Sequence, residues 1–129
     1  MASILKVDEL RGIASAGDIT VTSEGGAATQ SLQQGLAKAW SEFITSVAIN
    51  DSFNVASMSD EGVGDYQTNL TNSMASTAYV AIGDVENFNA YLTTTDKTSS
   101  SWTNYTSRDS EAGLADLTDM QNVAHGDLA

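Results

Sequence analysis

The sequence predicts a mainly β protein: a small antiparallel β-sandwich-like domain with an extended N-terminal arm and one short linking helix. Three observations carry this. Ser, Thr, Asn and Gly supply 48 of 129 residues; Thr favours strands, while Asn, Ser and Gly favour the turns between them. Lys and Arg together number only 5, although the exposed faces of long helices draw heavily on them. Short apolar-alternating runs recur from Phe43 onward, separated by turn residues, which is the pattern of small sandwiches and barrels. A hydrophobic content of 41% is too high for a disordered chain.

The elements follow in order. Residues 1–28 read as an extended arm. Ile4 to Leu10 is short and partly alternating, and Asp18 to Ser23 is a period-2 strand ended by Glu24-Gly25-Gly26, where paired glycines supply the positive φ of a turn. The arm holds few large apolar groups, and Leu5, Val7, Ile19 and Val21 are its candidate anchor residues. Residues 29–43 read as a helical junction. Thr29, Leu32, Leu36, Ala39 and Phe43 are spaced by 3 and 4, the rhythm of a helix seam, with Ser31 or Thr29 as its cap. Two readings remain open there: an oligomer seam through Leu32, Leu36, Ala39 and Phe43, or a single amphipathic helix packed on its own domain.

Residues 44–129 read as the β-rich head. Its candidate strands are Phe43 to Ile49, Ser52 to Met58, Tyr66 to Leu70, Ala78 to Ile82, Phe88 to Thr94, Ser101 to Tyr105 and Gln121 to His125. Asn50-Asp51, Asp60-Glu61-Gly62, Gly83-Asp84 and Asp96-Lys97 supply the breaks.

Charge and composition narrow the function. With 17 acidic side chains against 5 basic ones the formal net charge is −12, which argues against nucleic acid, because phosphate binding is driven by Lys and Arg. The chain contains no apolar run of transmembrane length, so membrane insertion is not expected. It also lacks the charged and apolar regions of a signal peptide. There are no cysteines and no prolines, which removes disulfides and thiolate chemistry.

The sequence offers little that could carry chemistry. His125 is the only histidine, and no Gly-x-Ser-x-Gly elbow is present, so a Ser-His-Asp site has no distinctive signature. Asp60-Glu61-Gly62-Val63-Gly64-Asp65 offers oxygen ligands for Ca²⁺ but lacks EF-hand spacing; a hairpin turn is the simpler reading. Zinc would need ligands that the chain does not have. The expectation is therefore no enzyme activity, no metal and no cofactor. One feature stands out. Trp102, Tyr105 and Arg108 lie in a Ser/Thr-rich stretch, and these residue types are enriched at binding hot spots. They form the candidate binding surface for a host glycan or protein. The competing reading buries Trp102 in the sandwich core.

Several stretches together carry a resemblance. Ile4-Leu5-Lys6-Val7-Asp8-Glu9-Leu10 with Gly17-Asp18-Ile19-Thr20-Val21-Thr22-Ser23-Glu24-Gly25-Gly26 resembles the N-termini of small tail-fibre-like proteins of tailed bacteriophages, many from phages of marine bacteria and cyanobacteria. Ser31-Leu32-Gln33-Gln34-Gly35-Leu36-Ala37-Lys38-Ala39-Trp40 is similar to their linking segment. Asp51-Ser52-Phe53-Asn54-Val55-Ala56-Ser57, Gly64-Asp65-Tyr66, Asn69-Leu70-Thr71-Asn72-Ser73-Met74, Ala78-Tyr79 and Asp119 to Asp127 look like their C-terminal β domain. The resemblance implies a structural virion protein, made in the host cytoplasm, that contributes to host attachment and partners other virion proteins. Many such proteins are trimers, so a homo-oligomer is expected, with the seam residues on the threefold axis. The alternative is a capsid decoration or head-fibre protein, which the short length favours.

Overall fold

The computed structural model describes residues 4–14, 19–86, 90–108 and 113–129, without the side chains of Ala90 and Tyr91. Asp18 and Phe88, each the first residue of an expected strand, lie outside the described residues. The strands are β1 (Thr20–Thr22), β2 (Thr29–Ser31), β3 (Ala39–Phe43), β4 (Ile49–Phe53), β5 (Val55–Gly62), β6 (Asp65–Leu70), β7 (Val80–Val85), β8 (Ala90–Thr95), β9 (Ser101–Arg108) and β10 (Met120–His125). One short helix, α1 (Leu32–Gly35), lies between β2 and β3. The chain divides into two compact units, Met1–Leu36 and Ala37–Ala129.

In the first unit β1 pairs antiparallel with β2, and Gly26 at φ +70° makes the turn between them. Ser31 caps α1, its Oγ accepting from the Gln34 N–H at 3.4 Å. Ile4, Leu5, Val7, Leu10, Ile13 and Val21 are all exposed. The expected helix over 29–43 is corrected to four residues. Leu36 is exposed, while Ala39 and Phe43 are buried in β3, so Leu32, Leu36, Ala39 and Phe43 do not form a seam. The cause lies in the spacing. Positions 39 and 43 fit both a helical and a two-residue period, and the position that decides between them is Ser41, an inward polar residue.

The second unit is two four-stranded antiparallel sheets, ordered β4-β3-β10-β7 and β5-β6-β9-β8. The expected antiparallel sandwich-like fold is the observed one. The expected breaks at Asp60-Glu61-Gly62 and Asp96-Lys97 fall at the β5–β6 and β8–β9 connections, whereas Gly83-Asp84 lies inside β7. The chain turns at Ile44 to Ala48 and again at Asn54, not at Asn50-Asp51, which lie inside β4. Asn54 carries the chain from one sheet to the other in a single residue. It adopts φ +58°, which Asn tolerates better than most residues. Its Nδ2 donates to the Lys38 carbonyl at 2.9 Å, and its Oδ1 accepts from the Asn72 N–H at 2.7 Å. Asp60 to Asp65 form the β5–β6 hairpin, the simpler of the two readings. Its Gly64, at φ +63°, lies where a Cβ would come within 2.7 Å of both the Ala115 nitrogen and the Thr106 carbonyl oxygen.

Inward residues of the two sheets, joined by Met74, Tyr79 and Leu117 from the connecting segments, form two apolar clusters. One gathers Trp102, Tyr79, Met74 and Leu70; the other gathers Phe43, Tyr66, Leu117 and Met120. A buried polar belt crosses the sandwich through Ser41, Asn122, Thr68 and Asn104. Ser41 Oγ donates to Asn122 Oδ1 at 2.9 Å, and Asn122 Nδ2 donates to Thr68 Oγ1 at 3.1 Å. Asn104 Nδ2 donates to Thr68 Oγ1 at 2.8 Å. Trp102 Nε1 donates to Asn104 Oδ1 at 3.1 Å. Since β3 and β10 lie in one sheet and β6 and β9 in the other, these bonds tie the two layers together.

Candidate docking face

The outward positions of the β4-β3-β10-β7 sheet form two cross-strand rows. Register places Trp40 opposite Phe53 on one side and opposite Val123 on the other, and Val123 opposite Ile82. The result is an apolar row, Phe53–Trp40–Val123–Ile82, across all four strands. The parallel row is Asp51–Glu42–Gln121–Asp84. In sequence each strand holds one apolar residue two positions from a polar one: Asp51-x-Phe53, Trp40-x-Glu42, Gln121-x-Val123 and Ile82-x-Asp84. Because neighbouring strands run antiparallel, the order reverses from strand to strand and like falls beside like.

Phe53 and Ile82 are 52% and 58% exposed, with Trp40 and Val123 half-buried between them. A depression of ≈ 410 Å³ lies over β10, lined by Trp40, Glu42, Ile82, Asp84, Gln121 and Val123. The carboxylates are held by local groups. Glu42 Oε1 accepts from Asn50 Nδ2 at 3.3 Å, Asp51 Oδ1 from the Ser52 N–H at 2.8 Å and Asp84 Oδ1 from the Val85 N–H at 2.9 Å. None of these partners is a cation. An ion pair lies elsewhere, between Arg11 and Glu9.

The outer face of the other sheet is different in kind. Its rows are Ser57–Asn69–Ser101 and Ser59–Gln67–Thr103–Thr95, followed by Asp65–Tyr105–Thr93. These rows are polar throughout, hydroxyls and amides with the Asp65 carboxylate and the Tyr105 phenol, as on the outward face of a sandwich, although Ser101 and Thr103 on the central strand are themselves buried. Two faces of one domain thus have the same backbone geometry and opposite surface chemistry.

The expected binding surface is corrected here. Trp102 is fully buried, its ring edge-on to Tyr79 at 6.2 Å between centroids. Alternation along β9 turns residue 102 inward and 105 outward, so the two cannot share a surface. Tyr105 lies half-buried on the polar face and its hydroxyl donates to Asp96 Oδ2 at 3.4 Å. The nearby Asp65 carboxylate, with lesser help from Asp96, raises the Tyr105 phenol above its ordinary pKa. Arg108 is exposed at the end of β9. Of the anchor residues, Leu5, Val7 and Val21 are exposed and Ile19 is half-buried. His125 is exposed on β10 opposite Val80.

Sequence reasoning missed Trp40, Phe53, Val123 and Ile82 as one group. The repeated apolar-x-polar pairs were visible, but only the strand order brings them together. Among the described residues no group of three or more His, Asp or Glu is arranged to hold a metal ion, and no helix is long and apolar enough to cross a membrane. Comparison of the chain with protein-family models, curated proteins and solved structures finds no match.

Proposed function

We propose that this chain is a structural, tail-fibre-like protein of a bacteriophage particle, in which an N-terminal arm seats on other virion proteins and a β head contributes to host attachment. The observation that carries the reading is the arm. Ile4, Leu5, Val7, Leu10 and Ile13 are 51–106% exposed; a segment with that much uncovered apolar surface gains its order from a partner rather than from itself. The resemblance of the arm and head to small tail-fibre-like proteins supports the same reading, and so does an acidic chain that repels nucleic acid. The protein acts in this reading by presenting surfaces, without catalytic turnover, and assembles as a homo-oligomer.

Quantitative mass spectrometry of purified particles tests the placement. A few copies per particle support a tail appendage; hundreds of copies would move the protein to the capsid shell as a decoration. Absence from particles would refute the reading. Leu5→Ser with Val7→Ser should abolish incorporation while leaving the head's circular dichroism unchanged. Release of reducing sugar or acyl product from host envelopes, lost on His125→Ala, would overturn the non-catalytic part.

A further inference from the structure

Sheet faces exposed to water normally alternate apolar-in with polar-out. The β5-β6-β9-β8 sheet obeys this, with Ser, Thr, Asn and Gln outward across its central rows. The β4-β3-β10-β7 sheet does not: all four outward positions of one row are apolar, Phe53, Trp40, Val123 and Ile82. With strands about 4.8 Å apart, that row runs roughly 14 Å across the sheet. An aromatic pair at one end and two aliphatic residues at the other make a continuous apolar strip, which on a folded domain marks a contact surface.

Charge selects the occupant. The neighbouring row lies about 7 Å away, two residues along each strand, and carries Asp51, Glu42 and Asp84 beside Gln121. No cation stands in that row. Two copies of this face brought together would gather six carboxylates in one interface of a chain already at −12, and a concentration of like charge in an interface is unfavourable. A sugar would satisfy the carboxylates but would leave the aliphatic end of the strip, Val123 and Ile82, without an apolar partner.

We propose that the outer face of the β4-β3-β10-β7 sheet docks a cationic, apolar segment of another protein. Its aliphatic or aromatic side chains lie along Phe53, Trp40, Val123 and Ile82, and its Lys or Arg side chains meet Glu42, Asp51 and Asp84. This inference rests on the reading of the chain as an attachment protein and names the chemistry of the partner that the head would hold. The carboxylates would speed and orient the encounter, and the strip would supply the desolvated contact.

The test uses the full chain and synthetic peptides as probes, followed by titration with chemical-shift mapping. One peptide alternates lysine with leucine, a second glutamate with leucine, and a third lysine with serine. The lysine–leucine peptide should bind and shift resonances of β3, β10 and β7, weakening as NaCl rises from about 0.05 to about 0.5 M. The other two peptides should bind at least about tenfold more weakly. Glu42→Lys with Asp84→Lys should weaken the lysine–leucine peptide by about tenfold or more. Asp60→Lys with Glu61→Lys changes the net charge equally on the exposed β5–β6 hairpin and should change binding by less than about twofold. Ile82→Ser should also weaken binding, at an unchanged melting temperature because Ile82 is already exposed.

Equal weakening by the two charge reversals would overturn the proposal, since it would show attraction to the net charge alone. So would equal binding of the lysine–serine peptide, or of a neutral oligosaccharide at the same resonances. Self-association that blocks the peptide until Leu5 and Val7 are changed would assign the face to the arm of a second copy and overturn it likewise. These outcomes leave the particle copy number untouched, so failure of this inference is separable from failure of the virion reading.

Discussion

Asn104 is the side chain on which the buried belt turns, and its removal has a calculable consequence. The residue is fully buried. Its Oδ1 accepts from Trp102 Nε1 at 3.1 Å and from Asn122 Nδ2 at 3.4 Å, while its Nδ2 donates to Thr68 Oγ1 at 2.8 Å. In Asn104→Ala, Asn122 keeps its bond to Thr68 at 3.1 Å, and Thr68 keeps that donor. Trp102 keeps nothing: its indole N–H can only donate. An orphaned buried donor costs about 1–3 kcal/mol. The void left by the amide adds roughly 1 kcal/mol at about 24 cal/mol per Å³. The expected loss is therefore about 2–4 kcal/mol, and each kcal/mol is worth about 4–8 °C in a unit of this size.

A double-mutant cycle isolates the cause. Trp102→Phe removes the donor, so Asn104→Ala made in that background orphans nothing. Urea denaturation followed by far-ultraviolet circular dichroism should show the double variant more stable than the sum of the singles by about 1–2 kcal/mol. If the single costs add within about 0.5 kcal/mol, the Trp102–Asn104 bond is not what holds the belt, and the reasoning fails.

Three further outcomes are expected. Trp102→Ala should cost about 3–5 kcal/mol by calorimetry; a variant that kept its stability but lost binding would restore the surface reading of this residue. Gly64→Ala should cost about 2–5 kcal/mol, because the new Cβ meets the backbone of Ala115 and Thr106 in a left-handed conformation, whereas the open Gly25 should accept Ala with little loss. Burial raises the phenols of both Tyr66 and Tyr79, that of Tyr79 to about 12, and the hydrogen bond to Asp116 adds to the effect at Tyr66. A raised pKa means the folded state favours the protonated form. That stabilisation is complete below about pH 10, where unfolded tyrosine titrates, and is lost as pH rises from there toward 12 and beyond. Melting temperature should fall across that window, and Tyr79→Phe should make the fall shallower.

The fold class was legible because turn residues and alternation are local. Tyr66, Thr68 and Leu70 do share the inward face of β6, and Asp60 to Asp65 do form a hairpin. Three things were not legible, each for the same reason. Ser41 hid the inward face of β3, so the apolar residues around it read as a helix. Asn54 looked like an ordinary strand residue, although its amide makes the corner between the sheets. Trp102 sat among Ser and Thr, which suggested solvent, yet Asn104 and Thr106, on the same inward face, are themselves buried. In each case a polar residue has an inward role that only a partner distant in sequence reveals.

The belt and the docking face are linked by register. Side chains alternate along a strand, so a slip of one residue in β10 would turn Asn122 outward and Val123 inward. An apolar core tolerates such a slip more readily than a hydrogen-bonded one, since Val123 could fill the space left by a small side chain. Asn122 could not be spared: Ser41 would lose its acceptor at 2.9 Å, and Thr68 would lose one donor. Buried polar groups left unpaired are costly, which is how a core hydrogen bond selects one register over another. The register so chosen is the one that sets Val123 between Trp40 and Ile82 and sets Gln121 between Glu42 and Asp84. The inward Asn122 and the outward apolar row are therefore two consequences of one alignment. A change at the belt would be felt on the face without any residue of the face being altered.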